Sequence, residues 1–225
     1  MFHGSPFKAD RYAALDHWED LVETWGDDEC FWPTRLPACS LSRSLLDGAT
    51  QNDPSLESGD APEFGARLEE LCGMDLAVFR GNQDESGDLR LTLARFYTLT
   101  GDHERAKESV RDRMRVAFDA WPEPTEKEEL AKRYDTIAHS LKVLDDDINV
   151  VAASQLWEPT RPSDYASFCD GCVARMAGDL WVCKHCLDVT LCMDCHGKLL
   201  LDGLSPYICN SRHSFLYLPP FDQAA

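Results

Sequence analysis

The chain lacks any apolar run near the roughly eighteen residues that a membrane-spanning helix needs. Its opening, MFHGSPFKADRYAALDHWED, has neither the apolar core nor the cleavage signature of a secretory leader. Positive charge is scarce as well: 22 Lys and Arg stand against 40 Asp and Glu, a formal net charge of −18. Such a molecule is repelled by phosphate backbones and anionic bilayers, so neither nucleic acid nor membrane is expected as a partner, whereas a basic peptide would suit it. No Gly-rich phosphate-cradling loop is present, and no Ser-His-Asp or Cys-His arrangement follows from the spacing. The expectation is that the chain is not an enzyme.

Cysteine, by contrast, is abundant and unevenly placed. Ten cysteines in 225 residues would give fewer than one Cys-x-x-Cys pair by chance, yet three lie between Cys169 and Cys195. They read CDGC, CKHC and CMDC, and CNSRH follows, ending at His213. Two sulfurs separated by two residues can face one ion across a tight turn, which Gly171 would ease in the first pair. Thiolate and imidazole suit zinc, and eight ligands fill two tetrahedral sites with no position left for water or substrate. Closed sites of this kind are structural and hold together a domain with too little apolar content to fold alone. Seven thiolates add −7 and two Zn2+ ions +4, so the formal charge moves from −18 to −21. Disulfides are the competing use of dense cysteine, but paired spacing, with no secretory leader expected, favours metal. His185 and His196 also lie inside the cluster as alternative ligands, though each abuts a cysteine. Cys30, Cys39 and Cys72 have no x-x-Cys partner and read as ordinary thiols. Spacing does not decide which pairs share an ion, and a different zinc module of the MYND type remains open.

The CDGC opening, the five-residue gap in CLDVTLC and the apolar tail SFLYLP resemble the ZZ-type zinc finger. The resemblance implies a cross-brace. Cys169, Cys172, Cys192 and Cys195 would hold the first ion, and Cys183, Cys186, Cys209 and His213 the second. Cys209 stands where members of that family usually have a histidine. Several ZZ fingers bind the free N-terminus of a peptide through acidic residues beside the first zinc. Carried over, those positions are Asp170 and Asp188, while the third acidic position falls on Thr190; Asp194 is a nearby acid. The competing reading of Asp170 and Asp188 is as solvated turn residues. RING fingers share the cross-brace, but their central Cys-x-His is absent, which argues against a ubiquitin ligase.

The rest of the chain reads as helical. RYAALDHWEDLVETW places Ala14, Trp18, Leu21, Val22 and Trp25 on one helical face, and prolines follow. Residues from about Asp47 to Pro62 read as loop, with a short helix around Phe64 to Cys72 and a polar break at GNQDESGD. From Asp88 two helices meet at Thr100-Gly101-Asp102, with Leu91, Leu93, Ala94, Tyr97, Ala106, Val110 and Met114 as facing positions. The phase of Leu93, Ala94, Tyr97, Gly101 and Ala106 resembles a tetratricopeptide repeat; Arg113 departs from it where a small residue is usual. A second pair, about Glu126 to Leu144 and Asp147 to Trp157, puts Ala138, Leu141, Val150 and Ala153 in similar roles. One or two such repeats are too few for a long peptide groove. Within the finger, LWVC, VTL and SFLYL are strand candidates, and CMDCHGKLLLDG a brief helix closed by Gly203. A repeat-like segment followed by this finger is similar to the C-terminal part of large fungal repeat proteins, of which the chain would be a short member or a fragment.

The expected architecture is therefore mainly α, with a helical-hairpin region and a small zinc-stabilised α+β finger. The expected layout is a helical segment over 1–46, a linker with a short helix over 47–87, hairpins over 88–157, a linker over 158–164 and the finger over 165–220. The expected function is an adaptor that binds peptides or protein N-termini, against the alternative of a purely structural zinc cap on a helical scaffold. Reduced cysteines imply an intracellular setting, cytoplasmic or nuclear.

Overall fold

The computed structural model describes residues 41–50, 59–78, 87–119, 127–157, 168–176, 179–186, 189–205 and 208–220. The expected helix around Trp18 and Trp25, Cys30 and Cys39, and the 158–164 linker all lie outside these residues. The described residues are mainly helical and carry one three-stranded antiparallel sheet. The chain divides into two units, Met1–Ala106 and Lys107–Ala225.

In the first unit, helical residues 41–49 (α1), α2 (Ala61–Val78) and α3 (Gly87–Thr100) share one core. Leu41 and Leu45 repeat at one-turn spacing, as do Phe64, Leu68, Leu71 and Cys72 on α2. Leu89, Leu93 and Phe96 answer them from α3. The expected loop from Asp47 to Pro62 is shorter than its composition suggests, because α1 runs on through residue 49 and α2 begins at Ala61. The short helix around Phe64 is in fact 18 residues long. Burial of its apolar stripe outweighs a polar flank that by itself reads as linker. Gly65 contributes by what it lacks: a Cβ there would stand 2.9 Å from the Phe96 ring. Cys72 is buried, and its thiol donates to the Leu89 carbonyl at 3.3 Å.

Helix α3 ends where the sequence predicts. Gly101 takes a left-handed φ of 85°, the Asp102 N–H donates back to the Tyr97 carbonyl, and the Asp102 carboxylate accepts from the Arg105 N–H to open α4 (His103–Asp119). Tyr97 is not an open binding face. It is 5% exposed, with the Arg105 guanidinium 4.1 Å above its ring and Arg105 in turn bonded to Glu69. Burial and the neighbouring Glu69 push its hydroxyl up to about 12.

The second unit repeats this turn without glycine. Helices α5 (Lys127–Val143) and α6 (Asp147–Trp157) form an antiparallel pair that ends one residue or less from the expected bounds. Here Asp145 is left-handed (φ 59°), Asp146 N–H donates to the Leu141 carbonyl, and the Asp146 carboxylate accepts from Asn149. Ala117, Ile137 and Ala153 form a small core with Met114, Ala138 and Leu141 packed on it.

The finger is built on β1 (Leu180–Cys183), flanked by β2 (Thr190–Leu191) and β3 (Phe215–Leu218). Trp181 pairs with Leu191 on one side and Tyr217 on the other. Helix α7 (Met193–Leu200) covers the sheet and lays Leu199 into a core made largely of the cysteines themselves. The left-handed residue that closes α7 is Asp202, not Gly203: the Asp202 N–H reaches the Leu199 carbonyl and the Gly203 N–H the Lys198 carbonyl. Glycine at position 203 answers to space instead, since a Cβ there would come within 3.3 Å of that Lys198 oxygen.

Candidate metal centre

Strand pairing decides which cysteines meet. The first knuckle, Cys169–Cys172, is tied to β2 by the Asp170 N–H, which donates to the Thr190 carbonyl at 3.0 Å. That bond brings it beside Cys192 and Cys195, at the start of α7. The second knuckle leaves the end of β1 and meets the segment just before β3, which carries Cys209 and His213. The result is two groups, Cys169/Cys172/Cys192/Cys195 and Cys183/Cys186/Cys209/His213, with ligand atoms within 4.8 Å of one another in each. The interleaved order is the one the ZZ resemblance implies, and each group could hold one metal ion.

The geometry tests the fit. In the second group the Sγ atoms of Cys186 and Cys209 are 3.8 Å apart and those of Cys209 and Cys183 3.6 Å. His213 Nδ1 lies 3.4–3.5 Å from all three sulfurs. A tetrahedron with metal–sulfur bonds of about 2.3 Å has sulfur–sulfur edges of about 3.8 Å, so these side chains are already spaced for a zinc-sized ion. In the first group Cys172 and Cys192 stand 4.0 Å apart.

Electrostatics point the same way. Three or four thiolates cannot crowd this closely without a cation among them. Burial and the bond to Cys169 raise Cys192 and Cys195, while contact with Cys183 raises Cys186 and Cys209. Cys169 and Cys183 are shifted the other way. Burial opposes ionisation of Cys169, but N–H groups of Cys192, Cys172 and Gly171 pull it down to about 7. Cys183 is held well below the ordinary thiol range against the same burial, by Cys186, Cys209 and His213. Backbone N–H groups of His185 and Cys186 also point at its sulfur, at 3.4 and 3.1 Å. A divalent ion supplies the charge that lets the remaining thiols ionise.

The other histidines are otherwise engaged. His196 stacks on the Trp181 indole at 4.0 Å and meets the edge of Phe215, and its burial lowers its pKa. His185 stacks on His213 at 4.6 Å. Neither belongs to a ligand group.

Gly171 serves the first knuckle in another way than by easing its turn. The left-handed residue of the first knuckle is Val173, with φ 59°. Gly171 is needed for space, because a Cβ there would meet the Cys195 side chain at 2.8 Å. Asp170 is exposed, and its Oδ2 accepts the Thr190 N–H at 2.7 Å. Asp188 lies outside the described residues. Sequence reasoning passed over Lys184, the residue after Cys183, which is 8% exposed and ion-paired to Asp145 and Asp147.

Compared with known protein families, curated proteins and solved structures, the chain matches none. No described helix is long and apolar enough to cross a membrane.

Proposed function

We propose that this chain is a zinc-dependent protein-interaction module, in which a ZZ-type finger captures the free N-terminus of a peptide beside its first metal site. The observation that supports this most is the interleaved pair of ligand groups, with the exposed Asp170 carboxylate held next to the first. An α-ammonium is a compact cation with three donors, which carboxylates from Asp170 and Asp188 would match. Both ions would be fully ligated by protein, so they would organise the finger rather than catalyse. The acidic chain favours basic peptides. The tetratricopeptide-like hairpins would serve as scaffold rather than as a groove.

A second reading has an observation in its favour. Asp170 already braces β2, and Thr190 occupies the third acidic position, which suits a purely structural cap. One substitution separates the two. Asp170→Asn keeps an oxygen for the Thr190 N–H but removes the charge. With full-length, zinc-loaded protein, a reader binds free-N-terminus peptides, loses binding when they are acetylated, and loses it in Asp170→Asn while keeping two ions per chain. Binding indifferent to acetylation, or unchanged in Asp170→Asn, would leave the finger as a cap.

A further inference from the structure

The second knuckle carries an interaction that neither metal binding nor peptide capture uses. Lys184 sits between the ligands Cys183 and Cys186, and its side chain is only 10% exposed. Its Nζ lies 3.1 Å from Asp145 Oδ1, and 2.6 and 2.7 Å from the two oxygens of Asp147. Its own N–H donates to the Ser214 carbonyl at 2.9 Å, next to the ligand His213. Across this contact, Asp145 is the left-handed residue that closes α5, and Asp147 is the first residue of α6. The seam continues where α6 packs on β3 and where the Gln155 amide reaches the Pro219 carbonyl at 3.4 Å.

A buried ammonium is tolerated only where carboxylates compensate its lost hydration. A lysine has a long, rotor-rich stem, so meeting two carboxylates at once requires its backbone to be fixed. Here the flanking residues fix it: Cys183 and Cys186 both belong to the second ligand group, and the Ser214 bond pins the Lys184 N–H. The first knuckle differs, since Asp170 and Gly171 face β2 and Cys195 within the finger.

We propose that the second half of the finger is an intramolecular docking surface whose partner is the α5–α6 hairpin, and that Lys184 couples metal at Cys183, Cys186, Cys209 and His213 to the ordering of that hairpin. The coupling rests on metal occupying this group. It is reciprocal: an ion there protects the α5–α6 turn, and the docked turn tightens the ion.

Amide hydrogen exchange over residues 141–150 of the zinc-loaded full chain tests this, with native mass spectrometry to count ions. Lys184→Met speeds exchange of this segment at least about fivefold while two ions are still bound at saturating zinc. The same variant gives up one ion to a competing chelator about fivefold more readily. Lys184→Arg restores part of both effects, because it returns the positive charge. Cys209→Ala, which removes a ligand of the second group, speeds exchange in the segment as well. Two bound ions with unchanged exchange in Lys184→Met would overturn the coupling alone. Failure of the wild-type chain to bind zinc would overturn the metal reading beneath it.

Discussion

The two ligand groups each include a Cys-x-x-Cys knuckle but are set in different surroundings. The first is open. Cys172 is exposed, Asp170 beside it is exposed, and Val173 is 75% exposed on a backbone that β-branched residues rarely adopt. The second is closed. Cys183 is 0% exposed, Cys209 3% and His213 7%; His185 stacks over the last, and Lys184 faces the helical hairpin. One knuckle is turned toward solvent and any partner, the other toward the chain's own scaffold. Similar coordination chemistry therefore does not mean an equal role: what each site controls depends on what its knuckle residues touch.

Removing the metal should have the largest effect on this contrast. Structural zinc binds with about 10–16 kcal/mol in finger peptides, far more than a core this small supplies. Chelation is expected to abolish the near-ultraviolet signal of Trp181, which stacks on His196 and meets Tyr217 at a tilt. A signal that persists without metal would mean that both sites are dispensable and the comparison empty. Next comes reactivity. With zinc bound, a thiol-alkylating reagent should modify Cys172 at least about tenfold faster than Cys183, because the thiolate must be reachable to act as a nucleophile. Peptide mapping over time reads this, and labelling at equal rates would erase the open-versus-closed distinction.

Smaller effects sharpen it. Asp170→Ala removes the charged acceptor for the Thr190 N–H and should cost about 1–2 kcal/mol, whereas Asp170→Asn should cost less than half as much. Thermal unfolding of the two variants measures the difference; equal losses would show that charge rather than the brace matters there. Val173→Gly is expected to stabilise the first knuckle by only a few tenths of a kcal/mol, roughly, since glycine relieves the Cβ strain of the left-handed conformation but loses more chain entropy on folding. A fall in melting temperature would mean that the entropy lost, or a contact of the exposed valine, is worth more than the strain.

Local patterns were legible wherever chemistry or periodicity acts over a few residues. Cys-x-x-Cys spacing marks three knuckles, and the structure gathers those six cysteines with Cys209 and His213 into two groups. The signature Thr100-Gly101-Asp102 marks a helix stop and start, and α3 and α4 meet there. The α5–α6 pair carried no glycine at its turn, yet its apolar spacing placed both helices within a residue of their bounds. Helix α2 was harder, because its flanks are polar and its stripe has value only against Leu45 and Phe96. Lys184 was invisible in CKHC. Nothing local distinguishes a lysine that solvates a turn from one that meets carboxylates 37 and 39 residues away.

By itself, then, the sequence determined the ligand types, the knuckles, the helical periodicity and the acidic balance, because each is a property of neighbouring residues. Only tertiary structure decided which pairs converge, which knuckle faces outward, why position 171 must be glycine and what Lys184 holds. Those outcomes depend on how β1, flanked on both sides, brings distant segments together, and no short stretch of chain encodes that meeting.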